Sequence, residues 1–264
     1  MSRRKAPAGP LNPAQRVSRF DRLLTEVSDR RSKWQAFQDF VTLSALSIQN
    51  NMTGAPTPGP RYAEREAEYM AIAKGYQRPE LDGMVEMLAL AIEEVAESGG
   101  DFLGSAFQRN ELASHWHGQF FTPWAVAYAM AKMTMHDAKA LVEEKGYVTL
   151  LEPCCGAGVM ILAAAQAMKD EGLEPRDTLV VEAVDLDRTA ALMAYVQLSA
   201  AGLPAIVRVG DSLKNEYREF WATPEFVGGG WGALLAPAVQ SMDKQPVIEV
   251  TREQSGQIPL FGVK

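Results

Sequence analysis

Val148-Thr149-Leu150-Leu151, followed by Glu152-Pro153-Cys154-Cys155-Gly156-Ala157-Gly158 and then by Val159 to Lys169, is the stretch on which the fold turns. A short apolar run stops at Pro and Gly, and an Ala- and Met-rich segment long enough for about three helical turns follows. A strand that ends in a glycine-containing turn and feeds a helix is the first half of a crossover unit. The glycines let the chain turn sharply and let its backbone approach a ligand with no Cβ in the way. Alone, Gly-x-Gly is equally compatible with an ordinary strand-to-helix turn. Cys154 and Cys155 are the only cysteines. Adjacent, they suit neither a structural disulfide nor a cysteine-built zinc site, and they read as small buried residues beside the turn.

Toward the C-terminus the pattern repeats. Leu179–Val184 is a second apolar run, Arg188–Ala200 a helix and Ala205–Val209 a third run. Strands and helices alternating at this spacing predict a parallel sheet built from crossovers, so the chain is α/β from about residue 145 onward. The second run ends in Val184-Asp185-Leu186-Asp187, where doubly wound folds place the carboxylate that grips a ribose diol. Asp185 is the first choice and Asp187 the reserve. The third ends in Val209-Gly210-Asp211-Ser212, from which a carboxylate can accept a hydrogen bond from an adenine amino group. Each carboxylate by itself is compatible with a helix cap. Three such features, one after each successive strand, are together far more specific.

Toward the N-terminus the strands disappear. Pro123–Met135 and Ala138–Lys145 read as helices, with Thr122 as the cap and Pro123 as the first helical residue. Met130, Met133 and Met135 read as core filling. Helical periodicity also runs through Arg16–Ser47, Tyr62–Lys74 and Pro79–Ala96, with a loop at Asn50–Pro60 and a stop at Ser98-Gly99-Gly100. The expected organisation is a flexible lead at 1–15, an α-helical domain at 16–110 and an α/β domain at 111–264.

A net charge of −7 and a pI near 5.1 argue against holding nucleic acid by bulk electrostatics. Residues 1–34 carry nine Lys or Arg against three Asp or Glu, and read as a solvated terminus or a basic arm that touches phosphate. No signal-peptide core and no run of about 18 apolar residues is found, so the expected location is cytoplasmic, without a membrane. His115 and His117 flank Trp116, but no third ligand lies near them in sequence, and no metal is expected.

Four pieces combine into a family pattern: Asp101-Phe102-Leu103-Gly104; Gly118-Gln119-Phe120-Phe121-Thr122-Pro123; Glu152 to Gly158; and Val184 to Asp187 with Gly210-Asp211. The chain resembles the adenine-specific (N6) DNA methyltransferases related to the modification subunits of type I restriction-modification systems. The resemblance implies a Rossmann-like methyltransferase domain preceded by an α-helical domain, and S-adenosyl-L-methionine as cofactor. It implies that Phe121, Thr122 and Pro123 bracket the methionine part together with Glu152, Pro153, Gly156 and Gly158. It also implies that Asp185 binds ribose and that Asp211 faces adenine.

The chain departs from the family at the methyl-transfer motif, Asn/Asp-Pro-Pro-aromatic. There an amide or carboxylate oxygen and a backbone carbonyl accept hydrogen bonds from the target amino group, while the ring stacks on a flipped-out base. Ala222-Thr223-Pro224-Glu225-Phe226 is the nearest candidate, which makes Thr223, Pro224 and Phe226 the catalytic candidates. Asn215–Trp221 ahead of them is too charged and interrupted for a buried parallel strand. The 53 residues after Asp211 are fewer than the family's remaining strands and DNA-reading region occupy, so the domain is expected to be abbreviated at its C-terminal end or completed by a partner. In the tail, Pro246–Val250 and Ile258–Val263 suggest a hairpin. Two functions follow. One is methyl transfer to the exocyclic amino group of adenine in DNA, with a specificity or other partner subunit. The other is a catalytically silent S-adenosylmethionine-binding protein of the same family that acts through DNA or protein. Methyl transfer to something other than DNA is a third.

Overall fold

The computed structural model describes residues 10–51, 61–112 and 122–232. Seven helices precede the first strand among them: α1 Pro13–Val27, α2 Lys33–Asn51, α3 Tyr62–Ala73, α4 Arg78–Ser98, α5 Phe102–Arg109, α6 Trp124–Thr134 and α7 Ala138–Lys145. α1 starts inside the segment read as a flexible lead, because Asn12, Pro13 and Gln15 occupy N-cap, N1 and N3 and close a capping box. Its inner face buries Phe20, Leu23, Leu24 and Val27, with Phe20 edge-on to Phe40 of α2 and Phe102 of α5. Arg16 is buried with them and bonds Glu94 at 2.6 Å and Glu97, both on α4. α4 stops where Gly99 takes φ +67°.

The α/β part follows as β1 Val148–Glu152, α8 Val159–Asp170, α9 Pro175–Thr178, β2 Leu179–Asp185, α10 Arg188–Ala200, β3 Ala205–Asp211, β4 Glu216–Ala222 and α11 Pro224–Gly228. The sheet order is β1-β2-β3-β4, with β1, β2 and β3 parallel and β4 antiparallel to β3. Among the described residues this is an abbreviated Rossmann-like sheet with an α-helical region ahead of it. α10 is buried along almost its whole length, as a helix apolar on every side must be. One flank packs on β2 and β3 and another on α2, where the Tyr195 hydroxyl donates to Gln49 Oε1 at 3.0 Å. One apolar cluster therefore runs from Phe20 through α10 to Trp221.

Two sequence readings change. Pro123 is the N-cap of α6 instead of its first helical residue, and its carbonyl accepts from Ala127 N at 3.0 Å, so Thr122 does not cap. α6 buries Ala127 and Ala131, one turn apart, leaving Met130 and Met133 47% and 76% exposed; of the three methionines only Met135 is core. The charged run 216–222 is no buried parallel strand, as its charge predicts; it forms the antiparallel edge strand β4. As an antiparallel edge it needs only one buried face, and Trp221 fills that role against Tyr195 while Glu216, Arg218 and Phe220 stay exposed. Phe121, the two histidines and the expected tail hairpin lie outside the described residues. Among the described residues no helix is long and apolar enough to cross a membrane, and no cluster of His, Cys, Asp and Glu is suited to a metal.

Candidate functional site

Glu152 and Asp185 end neighbouring parallel strands, so both carboxylates stand at the same end of the sheet. The loop after β1 is laid across the end of β2. Cys155 N donates to Val184 O at 2.8 Å and Gly156 N to Asp185 Oδ2 at 2.8 Å, while Gly158 N closes the turn on Cys155 O at 2.8 Å. Gly156 and Gly158 take φ +53° and +95°, a backbone region that side chains disfavour. At Gly158 the loop also passes close to α10, since a Cβ there would meet the Ala194 Cβ at 3.4 Å. Cys155 is buried in the turn and Cys154 exposed.

The two aspartates after β2 divide their work. Asp187 caps α10, accepting from Ala190 N at 2.9 Å. Asp185 instead holds the loop, its second oxygen accepting from Asp187 N at 2.9 Å. Burial pushes the Asp185 carboxyl above the usual range, and the amides of Asp187 and Gly156 only partly offset it. Burial also raises Glu152, helped by the charge of Asp185 and opposed by the Cys154 amide, which donates to Glu152 at 3.3 Å. The Cys155 thiol beside them is pushed up by burial and by both carboxylates. Among the described residues neither acid has a Lys or Arg partner; at the same end Arg218 bonds Leu186 O at 2.9 Å and Lys214 pairs with Asp211 at 3.2 Å.

Asp211 ends β3 at the same end of the sheet, two residues beyond the partner of Asp185. It turns the chain into the β3–β4 hairpin, accepting from Leu213 N and Lys214 N at 3.0 and 3.1 Å, and these bonds hold its carboxyl below the usual range. Thr122 and Pro123 lead into α6, which packs on the helix that the glycine loop starts. Pro153 is exposed on the loop.

Thr223, Pro224 and Phe226 are not brought to this site. Because β4 runs antiparallel and Ala222 pairs with Ile206, Thr223 sits at the opposite end of β3, about 20 Å from Asp211 at roughly 3.3 Å per residue. It is fully buried, caps α11 with Pro224 in the first turn, and donates to Leu203 O at 2.7 Å while accepting from Ala205 N at 2.9 Å. Phe226 is buried beneath it.

Sequence reasoning passed over Gln197. Fully buried on α10, it donates to Ala157 O in the loop at 2.7 Å and to Asp101 Oδ1 at 2.8 Å, and accepts from Leu103 N at 2.9 Å. Its signal was available, a lone carboxamide in the apolar run Ala190–Leu198.

Residues 102–227 match the model of the N-6 DNA methylase family, a little under half of the chain, from α5 through the glycine loop to α11. The family recognised in the sequence is the one whose model matches. Two solved structures are similar. One is a putative class I S-adenosylmethionine-dependent methyltransferase from Listeria monocytogenes, 14% identical, with 76% of this chain and 55% of that one covered at a TM-score of 0.42. The other is the methyltransferase subunit of a type I restriction-modification system from Streptococcus thermophilus, 16% identical, with 77% and 59% covered at 0.43. The chain thus spans less than three-fifths of either solved chain. No curated protein matches.

Proposed function

We propose that this chain binds S-adenosylmethionine at the loop 151–158 and serves methyl transfer to the amino group of adenine in DNA, together with a partner subunit. The observation that carries the reading is the glycine loop fastened to Asp185 at the carboxyl end of a parallel sheet. Open α/β sheets take their ligands there.

The residues present fit the cofactor. A carboxylate has about four lone-pair positions, and Asp185 spends two on loop amides, which leaves acceptors for a ribose diol. Glu152 and Asp185, both raised and without a basic partner among the described residues, favour a ligand with an ammonium and a sulfonium. Gly156 and Gly158 leave the backbone bare for close approach. The resemblance assigns Asp211 to adenine, and Phe121, Thr122, Pro123 and Pro153 to the wall around the methionine part. Bound there, the cofactor supplies an electrophilic methyl group. The chain's own part is to orient it and to shield it from water. The net charge of −7 supports leaving DNA reading to a partner, because phosphate contacts need a basic face.

Thr223 favours a second reading, a cofactor-binding protein silent in transfer. Its hydroxyl is consumed by Leu203 and Ala205 at the far end of the sheet, which leaves the nearest match to the transfer motif no route to a base.

Calorimetric titration with S-adenosylmethionine tests the central claim, with saturable binding expected and no binding fatal to it. Labelled cofactor is then incubated with DNA containing or lacking adenine, with and without candidate partner subunits. Label on adenine supports the first reading, whereas binding without transfer under every condition supports the second.

A further inference from the structure

We propose that Gln197 is a positioning residue that ties the glycine loop to the start of α5, so that the loop and α5 open and close together. The inference rests on reading that loop as the cofactor site.

The carboxamide is fully spent. Its two N–H groups go to Ala157 O and Asp101 Oδ1, and its carbonyl takes Leu103 N. Ala157 lies between the two glycines with positive φ, so the bond falls on the bend of the loop itself. Asp101 is the N-cap of α5, where Oδ1 also accepts from Gly104 N at 2.9 Å. A Cβ at Gly104 would lie 2.2 Å from Asp101 Oδ2, so a side chain there would displace the capping carboxylate. Burial raises the Asp101 carboxyl, while Gln197 and the Gly104 amide pull it back.

Gly104, Asp101, Gln197, Leu103 and Ala157 thus form one buried network whose members all have partners. Such a network is strong when complete and costly when broken at any point. Moving α5 strips Gln197 of two partners, and moving the loop strips it of the third. Through these bonds, ligand bound at the loop also orders the start of α5. By linkage, anything that docks on α5 tightens the loop to the same degree.

The test is amide hydrogen exchange together with calorimetry. In the wild type, S-adenosylmethionine is expected to slow exchange at the Leu103 and Gly104 amides as well as in the loop. In Gln197→Glu the introduced carboxylate keeps the bond to Leu103 N but faces Ala157 O and Asp101 Oδ1 with a charge. Relative to wild type at the same pH, affinity is expected to fall about tenfold or more at pH 8, and the deficit to shrink at lower pH, as the paired acids share a proton. Adding Asp101→Asn to Gln197→Glu supplies a donor to that carboxylate. Protection at Leu103 should return while affinity stays low, since Ala157 O still has no donor. Full affinity in the double variant, or exchange at Leu103 indifferent to both ligand and Gln197→Glu, overturns the proposal. If the wild type binds no S-adenosylmethionine, the cofactor reading falls alone. Ligand-free exchange then decides the coupling: joint loosening of loop and α5 in Gln197→Glu upholds it, and loosening of only one overturns it.

Discussion

At the carboxyl end of β2 the buried Asp185 carboxylate takes hydrogen bonds from the amides of Gly156 and Asp187; at the amino end of β3 the buried Thr223 hydroxyl takes them from Ala205 N and Phe226 N and gives one to Leu203 O. Both side chains organise a turn, yet they differ in what remains. Thr223 has used its only proton, and its environment is closed. Asp185 keeps free acceptor capacity, carries a raised carboxyl and sits beside a second raised acid, Glu152, with no Lys or Arg paired to either among the described residues. One end of the sheet is a finished cap, and the other is satisfied only in part until a ligand arrives.

The largest effect expected is at the open end. Asp185→Ala removes the acceptor of Gly156 N in the loop, that of Asp187 N in the turn before α10, and the group assigned to the ribose, so S-adenosylmethionine affinity should drop about 100-fold or more, by the worth of hydrogen bonds to a charged acceptor. Calorimetry checks this, and affinity unchanged within a factor of three would break the contrast. Thr223→Val keeps shape at the closed end but takes the hydroxyl away from Leu203 O, Ala205 N and Phe226 N. It should lower stability by about 1–3 kcal/mol in urea unfolding and leave cofactor affinity untouched. Lost affinity with intact stability would mean that Thr223 belongs to the site.

How far each end could be read from residues alone follows from the same contrast. Leu179–Val184, Arg188–Ala200 and Ala138–Lys145 were legible because Asp187 and Gly146 mark helix ends and the apolar periods are clean. Asp185 was legible from its place after a strand. Thr223 was not, because a residue's end of the sheet depends on strand direction, and the charge of 216–222 hides an edge strand whose direction reverses at Asn215, itself at φ +57°. Thr-Pro-x-Phe fits a capped helix start as well as a worn transfer motif, and local spacing cannot separate the two. Met130 and Met133 show a similar limit. Ala127 and Ala131 form the face that packs, and an Ala-Met helix offers two apolar faces to choose between.

A smaller effect is expected at Gly158. With φ +95° the position disfavours any side chain, whereas the 3.4 Å gap to Ala194 leaves room for a methyl group. Gly158→Ala should therefore act through backbone strain alone, at about 1–2 kcal/mol of stability, with a modest loss of affinity as the loop shifts. A loss of affinity as large as that of Asp185→Ala would mean that the glycine contacts ligand more intimately than the turn requires.

pH provides the mildest probe and the one that reads sign. Glu152 and Asp185 have folded-state values raised by burial, so the native chain holds their protons more tightly than the unfolded chain does. Their contribution to stability is complete below the ordinary carboxylate value of about 4 and is lost as pH rises through the raised values. Cofactor binding runs the other way, because a cationic ligand and ribose hydroxyls both want the ionised acids. Between neutrality and the carboxylate range, lowering pH should weaken binding while the share of apo stability owed to these two acids grows. Glu152→Gln isolates that share: relative to wild type it should flatten both curves, and the flattening should be opposite in sign. Thr223→Val should leave both slopes as they are, since a hydroxyl at the closed end does not titrate. Binding and stability that move together with pH would place the acids in a structural role and erase the difference between the two ends.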